Sequence, residues 1–246
     1  MVLTVSNIDK AYGGYRVLSD VGLAVDERET LAILGRSGCG KTTLLRIIAG
    51  LVDPDRGELR LRGETIDHLP VARRNIVYIY QEALLFPHLD IFENIAFGLR
   101  LRKVPEGDLR RRVEEMLESL ELASHARRMP HQLSGGERQR VAFGRAIIVN
   151  PSVLLLDEPF SNLDAETRAA MQELFRRLSA AYGIASIFVT HDLKEAILLG
   201  DRISYMRDGK LLHFSSKREF IAHPDYGARR EMDFWRTLGD QINERE

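Results

Sequence analysis

Cysteine is nearly absent. Cys39 is the only one in 246 residues, which excludes an internal disulfide and suits a reducing compartment. Neither sign of charge is in excess: 35 Lys and Arg stand against 36 Asp and Glu, for a formal net charge of −1 at pH 7. That balance gives no electrostatic footprint for a nucleic-acid partner. No apolar run approaches the ~18 residues needed to cross a bilayer. Met1-Val2-Leu3-Thr4-Val5 lacks the basic stretch and long apolar core of a secretory leader, so no signal peptide is expected. The expectation is a chain soluble by itself, acting at a membrane only if another subunit supplies the membrane part. Internal repeats and low-complexity segments are also missing. What remains is an ordinary hydrophobic content of 44%, enough for one large α/β domain or two small ones.

Against this background one stretch stands out. Gly35-Arg36-Ser37-Gly38-Cys39-Gly40-Lys41-Thr42 is a full match to G-x-x-x-x-G-K-[ST], followed by Thr43. The apolar run Thr30-Leu31-Ala32-Ile33-Leu34 precedes it, and Leu44-Leu45-Arg46-Ile47-Ile48-Ala49, ended by Gly50, follows. A strand, a glycine-rich turn and a helix are the context that makes the pattern a phosphate-binding loop. Glycines let successive N–H groups converge on one anion, and the new helix adds its positive end. In such a loop Lys41 contacts the β- and γ-phosphates and the Thr42 hydroxyl ligates Mg²⁺.

Elsewhere the elements alternate. Leu3-Thr4-Val5-Ser6 and Val21-Gly22-Leu23-Ala24-Val25 read as antiparallel strands broken by Tyr12-Gly13-Gly14-Tyr15, where either tyrosine passes for a sheet aromatic. Glu58-Leu59-Arg60-Leu61-Arg62-Gly63 alternates as a half-exposed strand after the turn Asp53-Pro54-Asp55-Arg56-Gly57. Asn75 to Tyr80 is a buried-strand candidate running into Gln81. Phe92–Leu101 and Leu109–Leu122 read as helices, the second with Leu109, Val113, Met116 and Leu120 on one face. The Arg110-Arg111-Arg112 run is then a solvated face. Val153-Leu154-Leu155-Leu156 and Ser186-Ile187-Phe188-Val189 are apolar strands separated by helices, and βαβ alternation implies a mainly parallel sheet. Asp208-Gly209 marks a hairpin near the end. The division is a core of residues 1–86 and 149–214 with an antiparallel β-subdomain, a helical insertion over 87–148, and a polar tail over 215–246 with no further core.

Three buried-type strands each end in polar residues. The first opens into the phosphate loop, Val153–Leu156 ends in Asp157-Glu158, and Phe188-Val189 ends in Thr190-His191. Ligands of an open parallel sheet sit outside the carboxyl ends of its strands, so these groups are expected to converge. Asp157 fits the carboxylate that holds Mg²⁺ through water. Glu158, one residue on, faces the other way and can orient and deprotonate an attacking water. His191 alone reads as a polar strand-end residue; beside two carboxylates and a phosphate site it reads as a donor to the γ-phosphate. Gln81, also at a strand end, is a candidate contact to Mg²⁺ or the water. Ser134 and Glu137 form a capping box opening a helix through Gly135 and Gly136. Two glycines in a first turn disfavour a helix unless something must approach its backbone closely. This second anion-binding helix end makes sense in a dimer in which each chain caps its neighbour's nucleotide.

In this order the residues resemble the nucleotide-binding subunit of ATP-binding cassette (ABC) transporters, over nearly the whole chain. The resemblance matches Gly35–Thr42 to the Walker A loop, Gln81 to the Q-loop, Leu133–Glu137 to the signature, Val153–Glu158 to Walker B with its catalytic glutamate, Ser161–Asp164 to the D-loop and His191 to the switch histidine. It places Tyr12, within Lys10-Ala11-Tyr12-Gly13, where the family stacks an aromatic on adenine. It implies a P-loop NTPase core with a helical signature subdomain. It also implies ATP and Mg²⁺ as cofactors, and a head-to-tail pair of identical or related ATPase subunits around two Mg-ATP. Leu85-Phe86-Pro87-His88-Leu89 and Glu93 to Leu99 are similar to bacterial importers of the maltose, polyamine, iron and thiamine kind. In these the loop docks a permease helix; a core-facing loop is the plainer alternative. The implied setting is the cytoplasmic face of the inner membrane, with permease subunits and a solute-binding protein. Rival readings are an efflux or lipoprotein-release ATPase, a soluble ABC-type ATPase, and a small-molecule kinase, which has no use for the Ser134 helix. Arg36 replaces the family's common proline, Glu137 its common glutamine, and Glu82 adds a charge. The chain stops before the family's regulatory β-domain, so none is expected. Cys39 lies at a helix N-terminus, where thiol pKa values tend to fall, so sensitivity to thiol reagents is expected; the family often carries Cys or Ser here, and the resemblance makes it a backbone contact site.

Overall fold

A computed structural model describes residues 1–226. In chain order the elements are β1 (Leu3–Tyr12), β2 (Tyr15–Val25), β3 (Thr30–Leu34), α1 (Lys41–Ala49), β4 (Arg56–Leu61), β5 (Glu64–Thr65) and β6 (Ile76–Ile79). Then come α2 (Ile91–Leu101), α3 (Glu106–Ser119), α4 (Gly135–Ile147), β7 (Val153–Asp157), α5 (Ala165–Tyr182), β8 (Ala185–Thr190), α6 (Leu193–Leu199), β9 (Arg202–Arg207), β10 (Lys210–His213) and α7 (Lys217–Ala222). Two sheets result: a four-stranded one in the order β2-β1-β4-β5, all antiparallel, and a six-stranded one in the order β10-β9-β3-β8-β7-β6. Only β10 runs antiparallel in the larger sheet. The expected α/β class with a mainly parallel sheet and a separate antiparallel sheet is what the backbone adopts.

The central strands read as unbroken apolar runs because both faces are covered. Their alternation sorts side chains into two cores. Leu31 and Ile33 of β3, with Val153 and Leu155 of β7, pack toward α1 and the antiparallel sheet. Ala32, Leu34, Leu154 and Leu156 pack toward the helices. Among the latter, Phe143 of α4, Phe160 after β7 and Phe175 of α5 gather with ring centroids 6.0 to 6.3 Å apart.

The helical insertion is anchored by the face anticipated on α3, since Leu109, Val113, Met116 and Leu120 are all buried. The arginine run on that helix is not uniformly solvated, however. Arg110 and Arg111 are exposed, whereas Arg112 is half-buried and donates to the Ile148 carbonyl at 2.8 Å. Nor does the core end at Ser215: Phe214 and Phe220 are buried with rings 5.1 Å apart, so α7 docks on the main core. The rest of the expected tail, residues 227–246, lies outside the described residues.

Strand register positions the site. Leu34 of β3 pairs with Thr190 of β8, and Asp157 of β7 pairs with Val189 of β8. Three neighbouring strands therefore stop at one level, which brings their three following turns together.

Candidate functional site

The loop after β3 is shaped by backbone that only glycine tolerates well. Gly38 and Gly40 lie in the left-handed region, at φ +80° and +111°. A side chain at Gly35 would meet the Met206 carbonyl oxygen at 2.5 Å, so the loop lies directly on the β9–β10 hairpin. The turn delivers α1 with no side-chain cap and no acid in its first turn. Its leading N–H groups have no intrahelical acceptor, and an anion is the natural partner. Lys41 is 4% exposed; its ammonium donates to the Gly35 and Arg36 carbonyls at 2.7 and 3.1 Å and stands 3.9 Å from Glu158 Oε1.

Opposite this cradle sit the acids. Asp157 Oδ1 accepts from the Thr42 hydroxyl at 2.9 Å, and its Oδ2 accepts from the Tyr78 hydroxyl at 2.6 Å. Burial, reinforced by the bond to Asp157, holds the Tyr78 phenol far above its ordinary range, so it remains a donor. Glu158 takes the left-handed conformation at φ 46°, with its N–H on the Val189 carbonyl at 3.1 Å. This kink parts the two carboxylates: Glu158 Oε2 lies 3.0 Å from His191 Nδ1. Lys41, Thr42, Thr43, Gln81, Asp157 and Glu158 line one cavity of about 470 Å³. The Gln81 amide donates to Ser161 Oγ at 3.0 Å, tying it to the loop before α5. That loop ends at Asp164, which caps α5 by accepting from Thr167 N at 3.0 Å.

Not every expected residue joins this cluster. Ser134 and Glu137 form the anticipated capping box at the start of α4, but neither they nor Gly135 and Gly136 line the phosphate cavity. Gly135 instead lines a neighbouring hollow with Gln81 and Asn162. The two glycines also differ. A methyl at Gly136 would sit 2.7 Å from Thr167 Cγ2, whereas one at Gly135 meets only Arg138 Nη2, at 3.9 Å. Gly136 is thus required by packing within the chain; Gly135 faces open space. Tyr12 pairs with Tyr15 across the hairpin end of β1 and β2 and is 49% exposed. It is Tyr15 that lines the hollow beside the phosphate loop, along with the Arg36 side chain. The fall expected of the Cys39 thiol is not what its surroundings produce. Burial pushes its thiol up, and the opposing influence of Lys41 is smaller.

Sequence reasoning missed Tyr78 and Arg46. Arg46, on α1, lines the phosphate cavity, and its positive charge opposes the rise of the Tyr78 phenol. A tyrosine within an otherwise apolar strand was a usable signal, since a largely buried phenol requires a polar partner.

The residues present fit a magnesium-bound nucleoside triphosphate. The uncapped α1 start and the buried ammonium suit phosphate. Among the described residues no group of three His, Cys, Asp or Glu forms a metal cage of its own. Mg²⁺ typically takes only one or two carboxylates and completes its shell with phosphate and water, which is what Thr42, Asp157 and Gln81 offer.

Fold and site define a P-loop nucleotide-binding domain carrying a second glycine-led helix start outside its phosphate cradle. The ABC transporter family model matches residues 18–161, and the chain belongs to that family. It is 46% identical to the sulfate/thiosulfate import ATP-binding protein CysA of Methylococcus capsulatus, over 91% of this chain and 66% of that protein. Identity is also 46% to the spermidine/putrescine import ATP-binding protein PotA of Haemophilus influenzae, over 91% and 60%. The molybdate/tungstate import ATP-binding protein WtpC of Pyrococcus horikoshii matches at 46%, over 91% and 64%. The chain thus spans 60 to 66% of the length of these relatives.

Proposed function

We propose that this chain is the ATP-hydrolysing subunit of an ABC importer. Two such subunits, identical or related, close around two Mg-ATP and drive membrane permease subunits served by a solute-binding protein. The carrying observation is the convergence of Lys41, Thr42, Asp157 and Glu158 on one cavity of about 470 Å³, with His191 held on Glu158 at its edge, while the Gly135 face stays outside it. Mg-ATP supplies the phosphoryl group and the counter-ion for its charge. Lys41 and the loop N–H groups hold the phosphates, Thr42 and Asp157 the metal. Glu158 accepts the proton of the attacking water at a carboxylate oxygen, and His191, fixed on Glu158, turns its other ring nitrogen to the phosphate. The Gly135 face receives the nucleotide held by the second subunit, with Asp164 beside it, and Tyr12 stacks on adenine.

The relatives' names point to import. No helix among the described residues is long and apolar enough to cross a membrane, in keeping with a subunit that works on the cytoplasmic face through a permease. Leu84, 54% exposed, and Tyr80 border a hollow of about 200 Å³ after β6 that suits a docked permease segment. Asn94 braces this loop: it is fully buried and bonds Phe86 through both its N–H and its carbonyl.

The test is phosphate release and solution mass with Mg-ATP for the chain and Glu158→Gln. Loss of a general base lowers turnover by ~10²–10⁴, and the variant accumulates as a dimer of the 28.0 kDa chain. Normal hydrolysis by Glu158→Gln overturns the assignment of the base, and a variant that stays monomeric overturns the closed pair.

A further inference from the structure

Glu195, on α6, is the one buried carboxylate among the described residues, at 5% exposure. Burial pushes its pKa above the ordinary carboxylate range. A carboxyl group is costly to bury unless its oxygens are hydrogen-bonded, and here both are. Oε1 accepts from Gln172 Nε2 of α5 at 3.2 Å, and Oε2 accepts from the Thr190 hydroxyl at the end of β8 at 2.6 Å. The same hydroxyl accepts from Asp192 N at 3.0 Å, so the turn carrying His191 is gripped on both sides of that residue. Among the described residues, His191 itself is held at the site by Glu158, 3.0 Å away. One turn before Gln172, α5 grips the loop that precedes it: Arg168 donates to the carbonyls of Phe160 and Leu163 at 3.3 and 2.8 Å.

We propose that Glu195 is a positioning residue: it clamps the Thr190–Asp192 turn, thereby sets the His191 ring on Glu158, and through Gln172 links that setting to α5 and the Asp164 loop. The proposal rests on the hydrolytic roles given above to Glu158 and His191. Geometry supplies the reason. His191 is more than half exposed, with 54% of its side chain accessible, so its own packing does not hold it. The rigid reference lies one residue earlier, at Thr190, which is 2% exposed. Glu195 is the side chain that ties that reference to a second helix. Movement of the Asp164 loop at the open face is thereby carried along α5 to the histidine.

The test compares the full chain with Glu195→Ala, Glu195→Gln, His191→Ala and the double variant Glu195→Ala/His191→Ala. Glutamine keeps an oxygen for the Thr190 hydroxyl, and the Gln172 amide can turn to accept from it. Glu195→Ala is expected to lower kcat for ATP by about tenfold or more with KM within about threefold, and Glu195→Gln to restore turnover to within about threefold. Because Glu195 acts through His191, its loss adds nothing in the His191→Ala background, whereas a general packing defect multiplies there. A second readout needs no turnover: in nucleotide-free chain with isotope-labelled histidine, the ring signal that vanishes in His191→Ala shifts in Glu195→Ala and returns in Glu195→Gln. Wild-type turnover by Glu195→Ala, multiplying losses, or an unmoved His191 signal overturns the proposal. An inactive wild-type chain overturns the hydrolytic reading instead, and the histidine signal then decides this one.

Discussion

The two glycines opening α4 allow packing within the chain to be separated from a demand made by something outside it. Alanine at Gly136 puts a methyl 2.7 Å from Thr167 Cγ2. Overpacking of that kind costs about 1–3 kcal/mol, against a helix-propensity gain of up to about 1 kcal/mol for replacing glycine. With about 1 kcal/mol regained from propensity, the expected net loss for Gly136→Ala is about 0–2 kcal/mol, read from urea denaturation at constant m-value. Thr167→Ser removes the offending methyl and keeps the hydroxyl, so the double variant recovers most of that loss, with a coupling energy of about 1 kcal/mol. Gly135→Ala meets only Arg138 Nη2, at an ordinary contact distance of 3.9 Å, so its stability is unchanged or slightly raised. Its ATP turnover with the second subunit is nevertheless expected to fall about tenfold or more, since a methyl there stands where a phosphate must approach the backbone. Additive stability effects of Gly136→Ala and Thr167→Ser refute the packing account. Full turnover by Gly135→Ala refutes the intermolecular one.

Other expectations follow from the same contacts. Cys39, its thiol pushed up by burial, alkylates more slowly at neutral pH than a free thiol and accelerates only at alkaline pH; rapid neutral alkylation by iodoacetamide contradicts this. Arg74 is 4% exposed and donates to the carbonyls of Ile47, Ile48, Leu69 and Asp67. Arg74→Met keeps the stem but loses all four bonds; at a net value of roughly 1 kcal/mol each, partly offset by relief of charge burial, about 3 kcal/mol of stability is lost, and a loss below about 1 kcal/mol rules the account out. For Glu195 the folded pKa lies above the unfolded one, so its stability contribution is greatest in acid and falls as pH rises from the ordinary carboxylate range through the folded value. Glu195→Gln is therefore expected to melt higher than the wild type at neutral pH and to converge with it in acid. A constant difference across pH, measured by thermal denaturation, contradicts the assignment.

What was legible in the sequence was local. The phosphate loop, the Ser134 capping box and the Asp208-Gly209 hairpin each depend on residues a few positions apart, and each formed where their spacing placed it. Asp157, Glu158 and His191 were also legible, because a fully apolar strand ending in a polar residue declares which end of a parallel sheet it faces. The contacts that escaped depend on register between distant segments. Tyr78 reaches Asp157 only because β6 lies beside β7 with Tyr78 paired to Leu155. Gly136 meets Thr167 across two helices, so its role inside the chain was hidden behind the outward role inferred for both glycines. Cys39 was misjudged because a helix start was weighed without the desolvation that the assembled fold imposes. The polar tail hid the docking of Phe220 because a lone buried phenylalanine leaves no period to detect.

The six-stranded sheet is a wall shared by two cores, and this bears on how the molecule comes apart. Leu154 and Leu156 belong to one core and Val153 and Leu155, on the same strand, to the other. Melting the helical side strips one face of β7 and leaves the other face resting on a sheet without backing. The two cores are therefore bound to unfold as one cooperative unit, although the helical insertion enters and leaves the sheet only through the ends of β6 and β7.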